Sequence, residues 1–313
     1  MKIVLLESLG ISPELLEQYA APLRQAGHCF EAYERNTDPH VQIQRCQDAD
    51  VLILANMPLS GQVISACSKL KFIDIAFTGV DHVDLAAAKE KQIQVSNAAG
   101  YSTQAVAELA LGMMISLLRN IPQVETRCRQ GQTKDGLVGS ELGGKTVGIV
   151  GVGAIGQRTA ELCRAFGCRV LGYQRHNFTH PFIESTDLHT LLSQSDIVSL
   201  HCPLNEDSRN LIDEKAISLM KDGAILINTA RGPVVDSHAL ADSLNRGKLS
   251  GAGIDVFETE PPLNTDHPLL HAKNTLVTPH VAFASQESMK ARAQIVFDNL
   301  TQWMNGNQIN RIL

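Results

Sequence analysis

Three side chains and one glycine run in this sequence make a set that could move a hydride and a proton together. Arg231 lies in Ile227-Asn228-Thr229-Ala230-Arg231-Gly232, Glu260 in Gly253-Ile254-Asp255-Val256-Phe257-Glu258-Thr259-Glu260-Pro261-Pro262, and His280 in Val277-Thr278-Pro279-His280. An arginine can grip a carboxylate in a bidentate fork and polarise a carbonyl oxygen. A histidine can give a proton to that oxygen as hydride arrives and take it back in oxidation. A glutamate beside it stabilises the imidazolium and fixes its orientation. This is the set a hydride-transfer site for a 2-hydroxy or 2-oxo acid requires. Taken singly, each has a plainer reading: a surface cation, an exposed loop acid, a structural histidine. The case rests on all three following strands of one sheet.

The hydride donor is indicated by Gly151-Val152-Gly153-Ala154-Ile155-Gly156, which follows the strand-like run Thr146–Val150 and opens an amphipathic stretch, Ile155–Phe166. That context is the one a dinucleotide-binding turn demands. Gly151 permits the turn, Gly153 lets backbone N–H groups approach a pyrophosphate, and Gly156 lets the helix pack on the sheet. The phosphate charge then meets a helix N-terminus.

Short apolar strands alternating with helical stretches must position these residues, the pattern of parallel sheets covered by helices. The first half offers strands at 3–6, 51–54, 72–76 and 93–96, with a helix over 13–26 capped by Ser12. The second half offers six strands, at 146–150, 170–173, 197–200, 224–228, 251–255 and 275–278, enough for one dinucleotide-binding sheet. Between them lie an apolar crossover helix, 103–118, and a polar stretch, Gln123–Glu141, that reads as an extended arm. A final helix, 286–304, is expected to return to the first sheet. The expectation is thus an α/β protein of two doubly wound parallel-sheet domains, a Rossmann cofactor domain (100–285) inserted in a discontinuous flavodoxin-like substrate domain (1–99 and 286–313), with catalysis in the cleft.

Composition narrows the class. The 313 residues carry a net charge of −6 with acids and bases mixed along the chain, which gives nucleic acid no footprint. A hydrophobic content of 44% supports a large core and about two domains. No apolar run reaches membrane-spanning length, and Met1–Leu6 reads as a first strand, not a signal peptide. A cytoplasmic protein without membrane partners is expected. Its seven cysteines form no C-x-x-C pair and no metal-like grouping, so reduced, mostly buried thiols and no bound metal are expected.

Over nearly its whole length the sequence resembles the D-isomer-specific 2-hydroxyacid dehydrogenase family. The resemblance runs through Gly100–Thr103 and Ala107-Glu108, Glu141–Thr146, the glycine run, Leu200-His201-Cys202-Pro203-Leu204, Asn228–Gly232 and Asp255–Pro262. It implies that Arg231, Glu260 and His280 are the catalytic set. It further implies that Ala154 and Ile155 contact the pyrophosphate, and that Cys202, Pro203, Thr229, Ala230, Asp255 and Phe283 line the cofactor side. Phe77-Thr78-Gly79-Val80-Asp81 matches the family's substrate loop, so Gly79 and Val80 would hold the substrate carboxylate with Arg231. Asn56 and Met57 are candidates for the pocket wall, with ordinary packing as the alternative for Met57. The blocks around Glu260 and His280 look most like the glycerate dehydrogenase and hydroxypyruvate or glyoxylate reductase branch, which implies a small polar 2-oxo acid such as hydroxypyruvate or glyoxylate, with D-lactate-type, phosphonate-type and bulkier 2-oxo acids as the alternatives. A homodimer through the crossover helix and arm is implied, although the arm lacks the tryptophan many members carry near Thr133. The family also includes nicotinamide-sensing corepressors, which leaves a non-catalytic alternative.

One position departs from the pattern. An acid should close the second strand of the cofactor domain and bind the adenosine ribose, but the sequence reads Leu171-Gly172-Tyr173-Gln174-Arg175-His176. Gln174 can still bond a ribose without repelling a 2′-phosphate, and Arg175 can attract one. The cofactor is therefore expected to be NAD(P)H, with NADPH favoured over NADH.

Overall fold

The computed structural model describes residues 1–176 and 178–313. They form two compact units, Met1–Ser102 with Ala284–Leu313, and Thr103–Phe283.

The first unit holds five parallel strands: β1 (Lys2–Leu5), β2 (Cys29–Ala32), β3 (Val51–Leu54), β4 (Phe72–Ile75) and β5 (Gln94–Asn97). Their order is β2-β1-β3-β4-β5, the flavodoxin-like arrangement. Strands β3 and β4 are buried at every residue, as β-rich apolar runs covered on both faces must be. Strand β2 is an addition to the four strands expected. Only Phe30 among its residues is buried, so no apolar run announces it. The helix Pro13–Gln25 is capped by Ser12, which accepts from the Leu15 N–H at 3.3 Å. The closing helix Gln286–Met304 starts in a capping box between Ser285 and Ser288. It belongs to this unit: Trp303 stacks on Phe72 with centroids 4.8 Å apart, and Asn299 donates to Asp74 Oδ1 at 2.9 Å and to the Asn97 carbonyl at 3.0 Å.

The second unit is built on seven parallel strands: β6 (Thr146–Val150), β7 (Arg169–Tyr173), β8 (Glu184–Ser185), β9 (Ile197–Leu200), β10 (Ala224–Asn228), β11 (Leu249–Ile254) and β12 (Thr275–Val277). The order β12-β11-β10-β9-β6-β7-β8 reverses direction between β6 and β9, which makes the crevice at their C-terminal ends the topological switch point. Both sheets are thus doubly wound and parallel, the fold class expected. Strand β8 was not foreseen, because two exposed edge residues carry no periodicity. The stretch 123–141 also differs from the expected extended arm, since its first part belongs to a helix, Ile121–Arg129. Pro122 in its first turn and Arg127 and Arg129 in its last suit a helix, though it buries no residue. Among the described residues, no single helix is long and apolar enough to cross a membrane.

Candidate active site

The second sheet is parallel, so the segments after its strands gather at one edge: Gly151 after β6, Gln174 after β7, His201 and Cys202 after β9, Thr229 after β10, Asp255 after β11 and Thr278 after β12. Backbone proximity at the switch point is extreme. A Cβ on Gly151 would lie 2.6 Å from the Cys202 nitrogen, and Gly151 takes φ +96°, a conformation that favours glycine. A Cβ on Gly156 would lie 2.0 Å from the Gly151 carbonyl oxygen, so the helix Ala154–Ala165 seats directly on the turn. Gly153, the N-cap of that helix, is different: no side chain caps the helix there, and a Cβ would meet nothing within 4 Å. Open space in front of uncapped helix N–H groups fits a pyrophosphate. At the same sheet edge, Thr229 Oγ1 and His201 Nδ1 are buried with no hydrogen-bond partner among the described residues. The residues present therefore fit a dinucleotide.

His201 is neutral here, because burial pushes its imidazole down to about 4, and its Nε2 lies 2.9 Å from Ser199 Oγ. Burial pushes the Cys202 thiol up to about 11, which makes it a packing residue, not a nucleophile. None of the seven cysteines forms a disulfide; Cys46, Cys67, Cys163 and Cys168 are buried and Cys202 is partly so, in line with mostly buried thiols, while Cys29 and Cys128 are exposed. No group of metal-ligating side chains occurs among the described residues.

Glu260 and His280, 20 residues apart in sequence, are in contact: His280 Nδ1 lies 2.9 Å from each carboxylate oxygen. The histidine side chain is almost wholly buried and that of Glu260 is more open. Phe283 meets the imidazole edge-on, with centroids 5.4 Å apart and planes at 88°. His280 takes φ +56°, an uncommon conformation for a residue with a Cβ. Two bonds hold it there, from its N–H to the Asp255 carbonyl at 2.7 Å and to the Thr278 carbonyl at 3.0 Å.

Asp255 braces the same loop with its side chain. Its Oδ1 accepts from Thr278 Oγ1 at 2.6 Å and from the Val281 N–H at 2.8 Å, and its Oδ2 accepts from the Ala282 N–H at 2.8 Å. Burial raises this carboxyl above its usual range despite those bonds. Hydrogen bonds to a charged group contribute about 1.5–3 kcal/mol each, so the loop carrying His280 is firmly fixed.

Arg231 sits one residue beyond a turn organised by Asn228, whose Oδ1 accepts from the Ala230 N–H at 3.0 Å and whose Nδ2 donates to the Arg231 carbonyl at 2.9 Å. The Arg231 guanidinium donates to the Ala230 carbonyl at 2.8 Å. Next to it, Gly232 is pressed on the backbone that leads to Glu260: a Cβ there would lie 1.9 Å from the Phe257 carbonyl carbon. That backbone is anchored in turn by Glu258, which accepts from Ser237 Oγ and pairs with His267 Nε2 at 2.9 Å. Burial opposes the Glu258 charge, but the bonds from Ser237 and His267 outweigh it and hold the carboxyl below its usual range.

After β7, Gln174 is half-buried and Arg175 is exposed. Arg175 pairs with Asp207, which no local sequence signal places there. In the first unit, Gly79 and Val80 follow β4 in a partly exposed loop whose Thr78 carbonyl accepts from Asn97 Nδ2 at 2.7 Å. Met57 is fully buried there, and its N–H donates to Glu7 Oε1 at 2.7 Å. Asn56 accepts from Arg35 at 2.9 Å.

Comparison with known proteins places these features in context. Residues 111–282 match the model of the D-isomer specific 2-hydroxyacid dehydrogenase NAD binding domain. A hydroxypyruvate reductase of Blautia hydrogenotrophica is 35% identical, covering 99% of each chain. A glyoxylate reductase of Thermofilum pendens is 38% identical over 84% of this chain and 81% of its own. An acyclic imino acid reductase solved with NADPH and D-Arg superposes with a TM-score of 0.93 at 31% identity, covering all of both chains.

Proposed function

Because the chain belongs to the D-isomer specific 2-hydroxyacid dehydrogenase family, an oxidoreductase family that acts on CH–OH groups of small 2-hydroxy acids with a nicotinamide cofactor, we propose that it interconverts hydroxypyruvate or glyoxylate and the corresponding 2-hydroxy acid, with NADPH favoured over NADH. The observation that carries the chemistry is the His280–Glu260 pair. With Nδ1 committed to Glu260, proton exchange with the substrate oxygen falls to Nε2.

The nicotinamide supplies or accepts the hydride at C2 of the substrate. Gly153, Ala154 and Ile155 would hold the pyrophosphate through backbone N–H groups, and Thr229 and Asp255 would line the nicotinamide side. Arg231 binds the substrate carboxylate and polarises the C2 carbonyl, which draws electron density onto the oxygen that must be protonated. His280 in its imidazolium form gives the Nε2 proton to that oxygen and keeps the Nδ1 proton shared with Glu260. The Glu260 carboxylate stabilises the charged imidazole and holds its plane. In oxidation Nε2 takes the proton back. Phe283 and the buried setting of His280 keep bulk water from competing for it. The relatives named hydroxypyruvate reductase and glyoxylate reductase support the substrate class. The neutral Gln174, where a ribose-binding acid is expected, supports tolerance of a 2′-phosphate. We further propose a homodimer.

The test is a panel of 2-oxo acids assayed by nicotinamide absorbance with NADH and NADPH in parallel. Highest kcat/KM for hydroxypyruvate or glyoxylate with NADPH is expected. A dominant activity on a bulkier acid, or a large NADH preference, would overturn the corresponding part of the proposal, and binding of cofactor without turnover would overturn the whole.

A further inference from the structure

Arg175 is not waiting for a ligand in this fold. Its guanidinium pairs with Asp207, which lies in the segment after β9, on the other side of β6 from β7. The segment that presents Asp207 is well organised. Asn205 Oδ1 accepts from the N–H groups of Asp207 and Ser208 at 3.0 and 3.1 Å, Ser208 Oγ donates to the Pro203 carbonyl at 2.7 Å, and the Asn205 N–H donates to Ser208 Oγ at 2.8 Å. Both charged side chains are largely exposed, so the pair is weak enough to exchange partners.

The second strand of a dinucleotide-binding sheet ordinarily ends in an acid that bonds the ribose and repels a 2′-phosphate. Here Gln174 and Arg175 follow β7, and the Asp207 carboxylate reaches the Arg175 guanidinium from the segment after β9. We propose that Asp207 is a cofactor-specificity residue: it holds Arg175 as an ion pair, and a 2′-phosphate binds only by displacing that carboxylate from the guanidinium. Asp207 thus sets the discrimination between phosphorylated and unphosphorylated adenosine ribose through Arg175. The inference rests on the reading that Arg175 faces the 2′ position of the bound nucleotide.

Calorimetric titration with adenosine 2′,5′-bisphosphate and with 5′-AMP tests it without turnover. Removing one exposed pair is worth up to about fivefold in affinity. Asp207→Asn should tighten the bisphosphate by about that factor and leave 5′-AMP within about twofold. Arg175→Ala should weaken the bisphosphate alone, and Asp207→Asn added to it should bring no gain, since the effect runs through the missing guanidinium. An unchanged bisphosphate affinity in Asp207→Asn, or the same gain with Arg175 removed, would overturn the proposal. The NADPH preference itself is read separately, from the wild-type NADPH to NADH ratio. A wild type that prefers NADH and gains bisphosphate affinity on Asp207→Asn refutes that preference and supports the role of Asp207. A wild type that prefers NADPH with no response to Asp207→Asn does the reverse.

Discussion

Gly232→Ala probes how closely the arginine turn is tied to the acid loop. The added Cβ would lie 1.9 Å from the Phe257 carbonyl carbon, 2.0 Å from its oxygen and 2.5 Å from the Glu258 nitrogen. All three are backbone atoms, so no side chain can rotate away. The two segments must part by at least about 1 Å before the tightest contact reaches the 3.0 Å below which Cβ contacts do not occur. Arg231 is adjacent on one side and Glu260 is close on the other, held through Glu258, Ser237 and His267. The displacement therefore falls between the proposed carboxylate clamp and the proposed proton relay. A misplacement of about 1 Å costs on the order of 100-fold in rate, or roughly 2.7 kcal/mol in the barrier. The assay is kcat/KM for hydroxypyruvate reduction, with dinucleotide affinity by fluorescence quenching and a melting curve to confirm folding. A fall of about 100-fold with dinucleotide affinity within about threefold is expected. A variant that folds and keeps wild-type kcat/KM would show that the two segments part without displacing Arg231 or Glu260.

Two further outcomes follow from the packing. Gly153→Ala puts a methyl group into open space, so melting without ligand should be unchanged while NADPH affinity drops about tenfold or more from crowding of the phosphate cradle; unchanged affinity would show that no phosphate binds there. Asp74 lies fully buried in β4 with a carboxyl pushed well above its usual range by burial, a shift that the Asn299 bond opposes. The folded state therefore holds a proton that the unfolded state releases above about pH 3.9, so the stability associated with Asp74 is present below that pH and is lost as pH rises toward the folded value. Asp74→Asn should raise the melting temperature at pH 7, with a gain that shrinks toward pH 4; a gain independent of pH, or a loss at pH 7, would contradict this.

The sequence made the sheets legible because their central strands are short, mostly apolar runs: β3, β6, β9 and β10 lie at the residues expected from that pattern. The edge strands β2 and β8 escaped because one buried phenylalanine or two exposed residues leave no pattern. The helix Ile121–Arg129 escaped for a related reason, since it buries nothing and its polarity reads as loop. In the candidate site, the chemistry-bearing types stood out at strand ends, but the residues that hold them did not. The contacts of Asp255 with Thr278, Val281 and Ala282, and the Glu258–His267 pair, depend on which loops the sheet order brings together. Asn228 is the exception: an asparagine closing a buried strand just before a turn is a local signal for the hydrogen-bonded turn it makes. Asp207 illustrates the opposite case, a charge whose meaning comes only from the partner the fold assigns it.

In the proposed mechanism His280 exchanges the proton with the substrate oxygen while Glu260 holds the imidazole. His280→Asn tests it with the backbone respected, because asparagine tolerates the positive φ that His280 occupies. Single-turnover reduction of hydroxypyruvate by pre-bound NADPH should slow by about 100- to 10,000-fold, with NADPH affinity unchanged. Hydride transfer at the wild-type rate in that variant would contradict the account.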